Sequence, residues 1–199
     1  MKNEQTYQFK ITLKGVKPPV WRQILIPANS TFWELHVAIQ DAMGWKDMHL
    51  HEFKVGDPNS GDMHRIGLPD DENESGRETL PGWKLRIDRY FTSVGTSANY
   101  WYDFGDDWIH IINLENILPR EKGASYLSCI AGERACPLED CGGPRGYAEL
   151  LEGIADKNHE RHEEILEWLG DGFDPEAFDP IEVTFTDAAE RLKLVLEDY

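Results

Sequence analysis

The sequence predicts an α+β domain with a mixed or antiparallel sheet and a helix-rich, acidic C-terminal third. Three observations carry this expectation. Residues 7–13 and 100–114 alternate apolar and polar side chains with the period of a strand. Residues 31–43 repeat apolar side chains with the period of a helix. The charge is also uneven: of a net −17, −13 falls after residue 138, where 18 acidic residues face 5 basic ones. No internal repeat or long linker divides the 199 residues, so one domain over 1–199 is the economical reading.

Taken in order, Tyr7, Phe9, Ile11 and Leu13 form one face of a first strand. Pro18 and Pro19 interrupt it, because proline cannot donate to a ladder. A second strand over 20–26 pairs back as a long-loop hairpin. Thr31 and Glu34 then have capping-box spacing, in which a hydroxyl and a carboxylate satisfy two orphan amides. Leu35, Ala38, Ile39, Ala42 and Met43 form the apolar stripe of the helix, and Gly44 closes it. A strand follows over 50–55. The pattern then weakens over 56–82, with a turn at 57–61 and an exposed acidic loop near 69–79. Residues 83–91 fit a short helix or a short strand equally well.

Strands over 100–104 and 108–114 flank a Gly-Asp-Asp hairpin. Trp108, His110, Ile112 and Leu114 share one face of the second. Helices are expected over 147–154 and 159–169, a short strand over 181–185, and a closing helix capped by Thr186 or Asp187. Its stripe is Ala188, Leu192 and Val195.

Composition excludes several classes. With 40% hydrophobic and 29% charged residues the chain is globular and not disordered. A net charge of −17 repels phosphate, which makes nucleic acid an unlikely general partner. No apolar run approaches the ~20 residues of a membrane span. The polar start and an odd cysteine count point to the cytoplasm and not to a secreted disulfide scaffold.

Cys129, Cys136 and Cys141 are the sharpest local feature. Three thiols with His49, His51 or His110 as a fourth ligand would satisfy tetrahedral zinc, although the spacing is irregular for a zinc knuckle. The competing reading is a folded Gly/Pro turn with buried thiols acting as small hydrophobes. His49 and His51 share one strand face, a spacing that suits a metal or a solvated face alike. His110 sits among apolar neighbours and reads as a satisfied core histidine. His159 and His162 read as solvent-facing residues. Asp103 and Asp106 form a polar hairpin site, either dividing acid and base work or accepting turn amides. Asp106, Asp107, Glu139 and Asp140 offer oxygens to a hard cation. Arg22 and Arg134 could clamp an anion, or fix loops by pairing with acids. No P-loop, dinucleotide fingerprint, serine elbow or zincin motif occurs.

Several motifs coincide: Lys17-Pro18-Pro19-Val20-Trp21-Arg22, Leu35-His36, Met43-Gly44-Trp45, and His49-Leu50-His51-Glu52-Phe53. Tyr102-Asp103-Phe104-Gly105-Asp106-Asp107-Trp108 follows, and then the run from Gly132 through Cys136 and Cys141 to Gly143, ahead of Gly146-Tyr147. Together they resemble the plasmid pRiA4b ORF-3-like family over about residues 5–185. The resemblance implies an α+β fold and brings no catalytic assignment. Resolvase-like labels on some relatives find little support, since no basic helix-turn-helix is present. The expected function is a non-enzymatic domain that binds a basic protein or peptide. The alternative is a small metal- or thiol-dependent enzyme centred on the cysteines.

Overall fold

In a computed structural model of the chain, residues 5–69, 78–120, 127–170 and 172–197 are described. The strands are β1 (Gln5–Leu13), β2 (Trp21–Pro27), β3 (His51–Gly56), β4 (Met63–Gly67), β5 (Thr79–Pro81), β6 (Ser97–Tyr102), β7 (Trp108–Pro119) and β8 (Ser128–Glu133). They form one sheet of order β5-β4-β3-β6-β7-β1-β2-β8. Every pairing is antiparallel except β4 with β5. The helices are α1 (Phe32–Met43), α2 (Gly143–Ala155), α3 (His162–Leu169) and α4 (Ala188–Glu197). This is the α+β domain with C-terminal helices that the sequence predicts.

The period-two alternation fixes one buried face. Tyr7, Phe9, Ile11 and Leu13 on β1 stand beside Ile24 and Ile26 on β2 and beside His110, Ile112 and Leu114 on β7. Tyr100 and Tyr102 on β6, and His51 and Phe53 on β3, continue that face. Helix α1 covers it. Thr31 caps α1 through the expected box: its hydroxyl accepts from the Glu34 amide, and its own amide donates to the Glu34 carboxylate. Such a cap contributes about 1 kcal/mol. Gly44 ends the helix at φ 84°, in the left-handed region that glycine tolerates. Phe32 of α1 packs edge-on against Phe53 and Tyr90, which locks the helix N-terminus to β3.

Where the sequence pattern is weak, the structure departs from it. Residues 63–67 and the edge strand 79–81 are defined by their ladders and not by their hydropathy; only Ile66 and Gly67 are buried among them. The centre of the acidic loop, 70–77, lies outside the described residues. Residues 83–91 resolve into 3-10 turns at Gly82–Lys84 and Ile87–Arg89. Cys129 lies in β8, a strand that the turn-like composition conceals. Helix α2 begins at Gly143, four residues before the expected 147. The strand expected over 181–185 is a 3-10 turn, Pro180–Glu182, in which the Asp179 carboxylate takes the Ile181 amide. Asp187 caps α4, accepting from the amides of Ala189 and Glu190. Among the described residues no helix is long and apolar enough to cross a membrane.

His110 stands in the core with neither ring nitrogen hydrogen-bonded among the described residues. Burial pushes it down to about 3. Below pH ~6.5 the unfolded chain therefore takes up a proton that the folded chain refuses, and stability falls by about 1.4 kcal/mol per pH unit on acidification. Above pH ~6.5 this contribution is fully present. His110→Leu should sit within ~1.5 kcal/mol of the parent at pH 7.5. By pH 5 it should gain about 2 kcal/mol relative to the parent in urea unfolding. An unchanged difference at the two pH values would contradict this account of His110.

Candidate functional site

Three loops meet at one end of the sheet: 45–50 after α1, 103–107 between β6 and β7, and 137–142 before α2. Each is held by specific bonds. The Trp45 indole donates to the Pro137 carbonyl at 2.8 Å and stacks on Tyr102. The Tyr102 hydroxyl accepts from the Met48 amide at 2.9 Å and donates to Glu139. Glu139 in turn accepts the Lys46 amide. Burial, followed by the Glu139 carboxylate, keeps the Tyr102 phenol protonated well above its ordinary range. The Asp103 amide donates to the Leu50 carbonyl at 3.0 Å, joining the first two loops.

The third loop comes in against bare backbone. A Cβ on Gly143 would lie 2.2 Å from the Asp106 carbonyl oxygen, and Gly143 has φ 69°. Asp106 anchors this approach by accepting the Gly142 amide at 3.0 Å. Asp140 is thereby delivered to the hairpin.

The result is a triad. His49 Nε2 lies 3.1 Å from Asp140 Oδ1 and 3.6 Å from Asp103 Oδ2. Asp103 uses its other oxygen on the amides of Gly105 and Asp106, which leaves Oδ2 aimed at His49. Both carboxylates sit on backbone of positive φ, 53° at Asp103 and 59° at Asp140, an uncommon conformation for non-glycine residues that concentrates at functional sites. The same three loops carry exposed apolar side chains: Met48 (71% exposed), Leu50 (52%), Phe104 (46%) and Leu138 (37%). On the Asp140 side the triad opens on a cleft of about 410 Å³ walled by Leu150, Ile165 and Trp168.

A second, buried group is His36, Asp47 and His51. In both groups the ligand atoms lie within 4.8 Å of one another, so each is capable of coordinating a metal such as zinc. Their geometries differ. His36 and His51 stack face to face at 3.5 Å and 7°, so their in-plane lone pairs run parallel and do not converge on one point. Asp47 is already paired with Arg191 at 2.7 Å. Its other oxygen lies 2.9 Å from His36 Nε2, off the line of a hydrogen bond. Burial lowers both histidines and keeps them neutral. Burial also opposes the charge on Asp47, but contact with His36 and the positive charge of Arg191 hold its carboxyl below the usual range.

The cysteines do not build the centre that their clustering suggests. Among the described residues no group of three ligands contains a thiol. Cys129 donates to the Ala131 carbonyl and Cys136 is buried. Burial raises all three thiols, with Cys141 pushed up to about 12 by burial and by Asp106 and Asp140, so none is a thiolate at pH 7. Arg22 is buried and structural, but its partners are carbonyls rather than acids: Ala42 at 2.8 Å, Trp21 at 2.8 Å and Glu133 at 3.0 Å, with the Phe178 ring over it. Arg134 pairs with Glu176. Of the oxygens offered to a hard cation, only Asp140 joins His49; Asp106 and Glu139 hold the loops. His162 bonds the Gly153 carbonyl, and His159 accepts the Arg161 amide. His110 belongs to neither group.

Gly143→Val should force the third loop off the hairpin. The expected result is loss of the His49–Asp140 contact, seen as a shifted His49 ring signal in NMR spectra, with the signals of β1 and β7 unmoved. A His49 signal unchanged in the variant would contradict the role given to this close approach.

Comparison with known proteins bears on the family and the fold. The family model described as "Plasmid pRiA4b ORF-3-like protein" matches residues 5–182. The uncharacterized protein y4hQ of Sinorhizobium fredii is 38% identical over 164 residues, covering 82% of this chain and 80% of that protein. A crystal structure of a protein of unknown function, MM3350 from Methanosarcina mazei Go1, superposes with a TM-score of 0.84 at 44% identity. That match covers 92% of this chain and 99% of the other. All three loops of the triad fall inside the matched stretch, and the chain belongs to the plasmid pRiA4b ORF-3-like family.

Proposed function

We propose that this protein is a metal-dependent binding domain. A divalent cation held by His49, Asp103 and Asp140 presents its remaining coordination positions to a ligand seated on the rim of Met48, Leu50, Phe104 and Leu138. The observation that carries this reading is the spacing of the ligand atoms. Donors about 2.0–2.1 Å from a tetrahedral ion stand about 3.3 Å apart. The 3.1 and 3.6 Å separations from His49 Nε2 bracket that value. One neutral imidazole and two carboxylates carry a net −2, which a divalent ion cancels. The ion's remaining positions are then open to a carbonyl or carboxylate donor.

The rim supports a protein or peptide segment as the ligand, since exposed Met and Phe side chains adapt to a partner surface. Without metal, the same carboxylates would accept a basic side chain, as expected for a basic protein or peptide partner. A small metal-dependent enzyme is the second reading. It is favoured by the three-ligand set, which leaves room for a bound water that the ion would acidify. A thiol-dependent enzyme draws no support from three neutral, separately engaged cysteines. A DNA-associated role draws none from the −17 charge.

Titration calorimetry with Mn²⁺ tests the reading, because manganese prefers oxygen and imidazole over the free thiols. One equivalent should bind, and Asp140→Asn or His49→Ala should weaken it by at least about tenfold. Asp103→Asn should do the same, with far-UV circular dichroism checking that the hairpin survives. A basic Lys-rich peptide that binds only the metal-free protein would favour the pairing alternative. Equal Mn²⁺ affinity in parent and variants would sink the metal site.

A further inference from the structure

Helix α4 buries no residue, yet it is tied to the body of the protein by an unusual set of polar contacts. Arg191 Nη1 pairs with Asp41 of α1 at 3.1 Å, and Nη2 with Asp47 at 2.7 Å. Thr186 gives its amide to Asp41 at 2.7 Å and its hydroxyl to the same carboxylate. The Trp33 indole of α1 donates to the Ala188 carbonyl at 2.7 Å. The family match ends at residue 182, so this anchoring comes from a segment beyond it.

What Arg191 grips matters more than how it is gripped. Asp47 lies two residues before His49. Its backbone is at φ 59°, its amide donates to the Gln40 side chain at 3.1 Å, and its carboxylate points inward against His36. The next residue, Met48, gives its amide to Tyr102, and His49 then faces Asp103 and Asp140. An inward carboxylate on left-handed backbone stays in place only while its charge is matched. Arg191 is the nearest paired cation.

We propose that Arg191 is a positioning residue: α4 acts as a latch that fixes the 45–50 segment, and through it the placement of His49. The consequence for His49 rests on the metal-site reading above, whereas the latch itself does not. Releasing Arg191 frees the Asp47 carboxylate to turn outward, and the segment loses its one side-chain ion pair with α4 while the bonds of Trp45, Lys46, Met48 and Leu50 remain. His49 then samples positions away from the carboxylate pair. A helix that buries no residue fully, held by these polar contacts and a half-buried stripe of Ala188, Leu192 and Val195, can dock and undock at low cost, so occupation of α4 by another molecule would loosen the same site.

The test is hydrogen exchange on the full-length protein, run without metal, in Arg191→Ala, Arg191→Lys and the surface control Arg161→Ala. Arg191→Ala should speed exchange at residues 45–50 by about tenfold or more while β1 and β7 keep their protection. Arg191→Lys should recover part of the protection, and Arg161→Ala should change nothing at 45–50. Unchanged exchange at 45–50 would overturn the latch, and so would an equal rise across the whole sheet, which marks general destabilisation. Mn²⁺ titration of the same variants then separates the two ideas. Weakened binding in Arg191→Ala joins latch to site, whereas a parent that binds no Mn²⁺ refutes the metal reading and leaves the exchange result to decide the latch.

Discussion

Asp47 carries a negative charge into a crevice between α1 and the sheet, and the chain around it is arranged to keep that charge satisfied. Gly44 turns the backbone out of α1, Trp45 goes into the core against Tyr102, and Asp47 turns inward to His36 and Arg191. Because Asp47 points in, its neighbours Met48 and Leu50 are left out in solvent. His49, between them, is left at the lip of the sheet facing two more carboxylates. The exposed rim and the triad thus follow from one inward-pointing side chain on a six-residue connection.

The polar layer beneath α1 explains why that connection can be rigid. Tyr100 bonds His36 at 2.8 Å and Gln40 at 2.9 Å, pinning the polar residues of the helix to the central strands. Buried polar groups are costly when unmatched and specify one arrangement when matched. Tyr100, Gln40 and His36 Nδ1 are matched here, whereas His36 Nε2, the Trp108 indole and both ring nitrogens of His110 are not. The sheet supplies a firm floor, and the left-handed residues Asp47, Asp103 and Asp140 are confined to the loops above it.

Much of this was legible in the residues, and the rest was not for identifiable reasons. The strands at 7–13 and 108–114 and the helix at 31–43 announce themselves because one buried face imposes a strict period. The strands at 79–81 and 128–133 do not, because edge pairing asks little of hydropathy, and 63–67 does not because only its last two residues are buried. His49, Asp103 and Asp140 are three of the candidate residues drawn from the sequence, but as members of different groups. Only the backbone approach at Gly143 brings the third to the other two. The cysteines drew attention by their clustering, whereas burial makes them neutral packing groups. The sequence spacing does not mark His36 and Asp47 as a group. The available signal was a histidine and a glutamine four residues apart within a helix whose stripe is otherwise apolar.

The central claim is that His49, Asp103 and Asp140 form a metal centre. Its most direct test is anomalous diffraction at the manganese edge from crystals grown with Mn²⁺. The account predicts one peak, bounded by His49 Nε2, Asp103 Oδ2 and Asp140 Oδ1. A peak at the cysteines, a peak between His36 and His51 alone, or no peak at saturating Mn²⁺ would contradict it.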